Sequence, residues 1–255
     1  MRKNWVKEKL KAGKPSVGSW LAIGHSLCAE VMAHQGFDWL TVDMEHNPIG
    51  WDSLLYMLTA ISTTETIPFV RTPWNDPQLI KRILDAGAYG VVVPNVKTRE
   101  EAELAVSACR YPPAGIRGLG GTRHRLYGGD DYFEHANEEI SCHIMIEDVE
   151  AVGRAEEIMS VPGIDAVFIG PNDLACSMGV PLGLDNKHPS HVAAVNHVLE
   201  VGKKLGVPVG IHCGSAEEVV RRAKEGWQWM ALVSDTRFMA AAATAGLSKI
   251  KAELK

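Results

Sequence analysis

The sequence predicts a single-domain α/β protein, a (β/α)8 TIM barrel spanning residues 1–255. Three observations carry that prediction: eight short apolar runs bounded by turn residues, a helix-period segment after each, and a length of 255 residues, the usual size of one such barrel.

In chain order the runs are SVGSWLAI (16–23), WLTVDME (39–45), IPFVRT (67–72), GVVVPNV (90–96), HIMIED (143–148), AVFIGPND (166–173), PVGIHC (208–213) and WMALVSDT (229–236). The helix-period segments fall near 26–36, 51–63, 76–86, 98–109, 149–160, 190–205, 215–226 and 237–253, with charged outer faces. Nearly continuous apolar strands separated by helices imply a parallel sheet covered by those helices, and eight units favour closure. A doubly wound open sheet is the alternative. Gly36-Phe37-Asp38, Gly87-Ala88-Tyr89, Gly163-Ile164-Asp165 and Gly226-Trp227-Gln228 each end a helix just before a strand, where glycine supplies a left-handed cap. Two stretches exceed ordinary connections, 111–136 and 174–189, and are expected to cover the active end or to contact another subunit.

An apolar fraction of 46% with 22% charged residues describes an ordinary globular chain. The net charge of -5, without a basic face, excludes a nucleic-acid partner and favours a small-molecule one. MRKNWVKEKLKAGK lacks the apolar core of a signal peptide, and no run of roughly 18 apolar residues exists to cross a bilayer, so no membrane association and a cytoplasmic location are expected. The five cysteines, Cys28, Cys109, Cys142, Cys176 and Cys213, are scattered and never spaced as Cys-x-x-Cys, which reads as mostly buried thiols rather than disulfides or a thiolate zinc site.

In such a barrel the reacting groups come from the C-terminal ends of the strands. Those ends supply Asp43, Glu45 and His46, then Arg71, Asn95, Glu147 with Asp148, Asn172 with Asp173, His212 and Asp235. Glu147 and Asp173 end consecutive strands, which lie about 4.8 Å apart when paired. Two carboxylates so close repel unless a cation lies between them, and an all-oxygen pair suits Mg²⁺ or Mn²⁺. The competing reading has each carboxylate cap a helix or pair with Arg71. The guanidinium of Arg71, on a fixed strand end, matches a substrate carboxylate, or else forms a structural ion pair with Asp43 or Asp173. His46 follows Asp43 by three residues, so the acid is expected to orient one ring nitrogen and free the other for proton transfer. His124, His143 and His212 are possible secondary contacts among the ten histidines.

Gly118-Leu119-Gly120-Gly121 lacks the spacing of a dinucleotide or P-loop fingerprint, whereas Gly170-Pro171-Asn172-Asp173 sits where backbone N–H groups can hold a carboxylate. The eight runs contain no lysine, so Schiff-base chemistry is not expected. Lys97 follows the fourth run as a solvated helix-start residue.

The chain resembles the HpcH/HpaI aldolases through GSWLAIGHSLCAEVMAHQGFDWLTVDMEHNP, PFVRTPWNDPQLIKRILDAGAYGVVVPNV, YPPAGIRGLGG, IMIED and DAVFIGPNDLACSMG. That resemblance implies a (β/α)8 barrel assembled as a hexamer, a trimer of dimers with a C-terminal helix exchanged between partners. It matches the family's metal carboxylates to Glu147 and Asp173, its pyruvate-binding arginine to Arg71 and its His–Asp dyad to His46 and Asp43. The implied activity is metal-dependent cleavage or formation of 4-hydroxy-2-oxo acids from pyruvate, or a related 2-oxo acid, and an aldehyde, with Mg²⁺ or Mn²⁺ and also Co²⁺ as the cation. Where many of these aldolases carry Gln-Ile-Glu-Thr, this chain has Met145-Ile146-Glu147-Asp148. An oxaloacetate decarboxylase or acyl-CoA lyase is the nearest competing activity, and a non-enzymatic 2-oxo-acid binding protein the competitor from another class.

Overall fold

The computed structural model describes residues 1–254. Eight parallel strands pair in chain order and close on themselves: β1 (Ser16–Leu21), β2 (Trp39–Asp43), β3 (Ile67–Arg71), β4 (Gly90–Val93), β5 (Ser141–Met145), β6 (Ala166–Ile169), β7 (Val209–Cys213) and β8 (Trp229–Ser234). The predicted barrel therefore forms, and the open sheet does not. Each strand turns alternate side chains to opposite faces. From β2, Leu40 and Val42 join the layer shared with the outer helices, whereas Trp39 joins the barrel interior.

That interior is aromatic. Trp39 and Trp229 stack with centroids 4.0 Å apart, and Phe69, Phe168 and Trp20 complete the fill. Rings this large fit because glycine stands opposite them. A β-carbon on Gly18 would meet Trp39 Cδ2 at 2.1 Å, and one on Gly90 would meet Phe69 Cε1 at 2.2 Å. Truncating such a buried ring to alanine typically costs about 3–5 kcal/mol.

All four glycines take the left-handed φ expected, +84° at Gly36, +105° at Gly87, +98° at Gly163 and +102° at Gly226. Gly226 caps its helix and Gly87 follows the cap Ala86, whereas Gly36 and Gly163 stand in the turns beyond the caps His34 and Ser160. The segment read as one helix over 149–160 is two, Val149–Gly153 and Ala155–Met159. Strand six also stops earlier than predicted. Pro171 has no N–H for the ladder but suits the first turn of a helix, so Asn172 and Asp173 lie in the helix Pro171–Ser177.

Sequence reading missed the helix Trp5–Lys11, which closes the N-terminal end of the barrel. Asn4 caps it by accepting the N–H of Lys7, and Val6 and Leu10 enter the interior cluster with Trp39 and Trp229. Lys7 Nζ lies 2.9 Å from Asp165 and donates to the Ile140 carbonyl at 3.0 Å.

The stretch 111–136 packs on this same N-terminal side and so does not cover the active end of its own barrel. It follows a helix, not a strand, and its anchors are at the bottom: Arg117 pairs with Asp85 at 2.9 Å, and Arg2 N–H donates to Gly128 O at 2.6 Å. The stretch 174–189 does follow a strand, and its Leu184 reaches the catalytic mouth. Among the described residues no helix is long and apolar enough to cross a membrane.

Candidate active site

Asp43 and Arg71 are register partners at the ends of β2 and β3. Arg71 donates through Nε to Asp43 Oδ1 at 2.8 Å and through Nη2 to Oδ2 at 2.7 Å. Its Nη1 stands 3.1 Å from Glu45 Oε2 but out of line for a hydrogen bond, so N–H groups remain for another anion. Trp20 supports the guanidinium with its ring centroid 4.7 Å away. Burial opposes ionisation of Asp43, but the Arg71 hydrogen bonds outweigh it and hold the carboxyl below its ordinary range.

Asp43 thus takes Arg71, the partner of the alternative reading, and not the His46 ring of the expected dyad. Asp43 also accepts from Asn47 Nδ2 at 2.6 Å and from the Glu45 N–H at 3.2 Å, and its hydrogen bonds do not include the His46 ring. The nearer acid to that ring is Glu45, with Oε2 3.6 Å from His46 Nε2. His46, with 60% of its side chain exposed, stands at the rim, whereas Arg71 at 11% lies deep.

Glu147 and Asp173 converge as expected. β5 and β6 pair in register, and Gly170 separates the two carboxylates: a β-carbon there would stand 2.5 Å from Glu147 Oε2 and 3.1 Å from Asp173 Oδ2. Only glycine leaves that space open. Glu147 Oε1 accepts the N–H of Asn95, whose φ of +54° turns that N–H inward, while the buried Oε2 has no hydrogen-bond partner among the described residues. Burial above all, against the Asn95 hydrogen bond and with Asp173 and Glu45 adding repulsion, pushes Glu147 up to about 7. Burial likewise raises Glu45, partly offset by Arg71.

An orphaned buried carboxylate oxygen facing a second carboxylate across a glycine fits a hard divalent cation. Among the described residues no cluster of three or more His, Cys, Asp or Glu side chains forms, so a cation seated here would meet two protein carboxylates.

These groups surround a cavity of about 340 Å³ lined by Trp20, Asp43, His46, Arg71, Met145, Asp173 and His212 among others. A larger cavity of about 490 Å³ at the opposite end, lined by Leu10, Lys11, Gly202 and Gly206, gathers no comparable chemistry. The Asn172 side chain is turned to structural use, accepting the Gly183 N–H at 2.9 Å and tethering the loop after its helix. Asp148 does the same, capping its helix through the Glu150 N–H at 2.8 Å and pairing with Lys97 Nζ at 2.8 Å. Of the secondary histidines only His212 reaches the cavity. His143 is sealed inside the barrel, and His124 is buried beside Asp85 and Tyr132. Trp20 and the inward turn at Asn95 went unread, because neither residue type signals its role without the closed sheet.

A closed parallel barrel whose C-terminal mouth joins a paired-carboxylate seat, a fixed arginine and a rim histidine defines a lyase acting on a carbon–carbon bond. The chain belongs to the HpcH/HpaI aldolase/citrate lyase family, whose model matches residues 16–240. It is 40% identical to the hydroxypyruvate/pyruvate aldolase of Rhizorhabdus wittichii over 94% of this chain and 96% of that one. It is also 40% identical to the 4-hydroxy-2-oxo-heptane-1,7-dioate aldolase of Klebsiella pneumoniae subsp. pneumoniae, over 95% and 92%. A solved HpcH/HpaI aldolase/citrate lyase family protein from Burkholderia cenocepacia J2315 superposes with a TM-score of 0.92 at 35% identity, covering 98% of this chain and all of that one.

Proposed function

We propose that this enzyme is a divalent-metal-dependent aldehyde-lyase that cleaves or forms 4-hydroxy-2-oxo acids, with pyruvate or a related 2-oxo acid as one partner and an aldehyde as the other. The observation that carries the reading is the pair of carboxylates, Glu147 and Asp173, opposed across Gly170 beside a deep arginine. The two relatives named as aldolases of 2-oxo acids support it.

Glu147 and Asp173 would hold the cation, which when bound lowers the energy of negative charge building on the keto oxygen. Arg71, braced by Asp43 and stacked on Trp20, holds the substrate carboxylate, joined by the backbone N–H groups of Asn172 and Asp173 at the start of their helix. In cleavage, His46 at the rim takes the proton of the C4 hydroxyl. The C3–C4 bond breaks, its electron pair passes into the oxo acid as an enolate, the aldehyde leaves, and the protonated imidazole returns its proton to C3. In synthesis the same imidazole removes a proton from the oxo acid's C3. None of the eight strands contains a lysine, so the residues present supply no Schiff base at the barrel wall.

Oxygen ligands suit Mg²⁺ or Mn²⁺, with Co²⁺ also accommodated. The family resemblance supports a cytoplasmic homohexamer built as a trimer of dimers. The test is a panel of aldehydes offered with pyruvate to chelator-stripped enzyme and to enzyme reloaded with each cation. Aldol product that appears only on reloading is the expected result. Its absence with every aldehyde and cation overturns the reading.

A further inference from the structure

His212 takes no part in the chemistry above, yet it lines the same cavity at the end of β7. Among the described residues its ring makes one hydrogen bond, from Nε2 to the Val233 carbonyl at 3.2 Å. A carbonyl only accepts, so Nε2 carries the proton and Nδ1 of the neutral ring presents a bare lone pair. Burial, reinforced by the charges of Arg71 and Arg237 and opposed by the Val233 carbonyl, pulls the imidazole down to about 4, which keeps it neutral at ordinary pH. Nδ1 is not among the sealed polar atoms, so it is open to the cavity with no protein donor to meet it.

The backbone holds this tautomer in place. The β1–β8 register shifts between Gly18 and Trp20, and Val233 sits there at φ +39°, a conformation a β-branched residue rarely adopts. Ser19 Oγ donates to the Leu232 carbonyl at 2.8 Å and reaches that of Val233 at 3.4 Å, fixing the bulge that aims Val233 O at the imidazole. Strained backbone of this kind is characteristic of ligand-binding positions.

Its position also selects the reactant. Trp20 lies under Arg71, with the guanidinium 4.7 Å from its centroid, and its ring is also 6.1 Å from that of His212. His212 therefore neighbours the deep end that holds the oxo acid, not the rim. A carboxylate or keto oxygen facing Nδ1 would set lone pair against lone pair, and a methyl group would leave the acceptor unpaired. A hydroxyl satisfies it.

Resting on the aldolase reading, we propose that His212 Nδ1 accepts a hydrogen bond from a hydroxyl on C3 of the 2-oxo acid, making this site selective for a hydroxylated donor substrate over its deoxy analogue. The test compares 3-hydroxypyruvate with pyruvate in the wild-type enzyme, His212→Leu, which removes the acceptor, and His212→Gln, which restores one. Dissociation constants are measured calorimetrically with the cation present and no aldehyde, so the result stands whether or not aldol product ever forms. A ratio of affinities also cancels any general weakening of the site. One neutral hydrogen bond predicts that the preference for 3-hydroxypyruvate falls about tenfold in His212→Leu and partly returns in His212→Gln. An unchanged ratio in His212→Leu overturns the proposal, as does a wild-type enzyme that binds the two acids equally. Failure of the aldehyde panel above would instead count against the aldolase reading alone.

Discussion

Arg71 closes on Asp43 as a two-pronged hydrogen bond between register partners, Nε to Oδ1 at 2.8 Å and Nη2 to Oδ2 at 2.7 Å. A carboxylate committed in this way fixes the guanidinium, so on the proposed function Asp43 supports substrate binding rather than proton transfer at His46. Arg71→Lys keeps the charge but cannot span both oxygens, and Asp43→Asn leaves the guanidinium loose. Each change should raise the KM for pyruvate by about 10–100-fold, the worth of a charged hydrogen bond, with a smaller effect on kcat. Steady-state saturation curves in pyruvate decide the matter, and unchanged curves would refute the clamp.

His46 should give the opposite pattern. The side chain is 60% exposed, so His46→Ala leaves the fold and pyruvate binding intact. Aldol cleavage should fall by about 10²–10⁴-fold, the usual contribution of a general acid–base group. Oxaloacetate decarboxylation needs no base at a hydroxyl and should suffer less. Equal losses in the two reactions would mean that His46 helps to build the site.

Glu147→Gln and Asp173→Asn each remove one carboxylate from the seat around Gly170. Calorimetric titration with Mn²⁺ should show tight binding lost in both variants, with aldol activity lost alongside it and the circular-dichroism spectrum retained. Tight binding that survives both changes would place the cation elsewhere.

The acid at Asp148 has a structural explanation in its helix cap and its pairing with Lys97. Asp148→Ala should cost about 1 kcal/mol, the ordinary worth of such a cap, and should lower Tm by about 2–4 °C in a domain of this size. Asp148→Thr, which restores a capping oxygen, should recover most of the loss. Thermal scans of the two variants separate a cap from a substrate-binding role, which would appear in KM instead.

His143 sets an acid limit to stability. It is fully buried between Phe69 and Trp229, with centroids at 4.8 and 4.4 Å, and burial pulls its pKa down to about 3. The unfolded chain takes up its proton near the ordinary value of about 6.5, whereas the folded chain resists until about 3. Between those values the unfolded state binds more protons, so this contribution is complete above pH 6.5 and is lost progressively as pH falls. His143→Leu should flatten that part of the urea-denaturation profile between pH 6.5 and 4. An equally steep profile in the variant would assign the acid sensitivity to other groups.

The barrel was legible because its strands are continuous apolar runs and its helix ends are marked by glycine, signals that lie within a few residues of one another. Which of two partners a side chain takes was not, since the Asp43–Arg71 pair stood only as an alternative. Asp43 and His46 are close in sequence, so spacing favoured that pair, while the partner that register supplies lies 28 residues away at Arg71. The convergence of Glu147 and Asp173 was legible for the converse reason, since each marks its own strand end. The helix Trp5–Lys11 escaped because its two interior contacts, Val6 and Leu10, are embedded among lysines that read as solvated surface. Chain order alone contained the correction for 111–136, because a connection that leaves a helix and enters a strand lies at the N-terminal face of a barrel.

The aromatic fill of the barrel, covered below by the helix Trp5–Lys11, leaves both reactants a single doorway at the C-terminal mouth. Arg71 waits at the bottom of that passage, 11% exposed, and His46 stands at its threshold, 60% exposed. On the proposed function, with the oxo acid held at Arg71 and the aldehyde beside His46, whatever binds below is walled in by whatever binds above, so turnover has a compulsory sequence. The oxo acid arrives first and departs last, and the aldehyde comes second and leaves first. In the cleavage direction the oxo acid is then a competitive product inhibitor and the aldehyde a mixed one, an order of traffic imposed by a barrel that opens at one end.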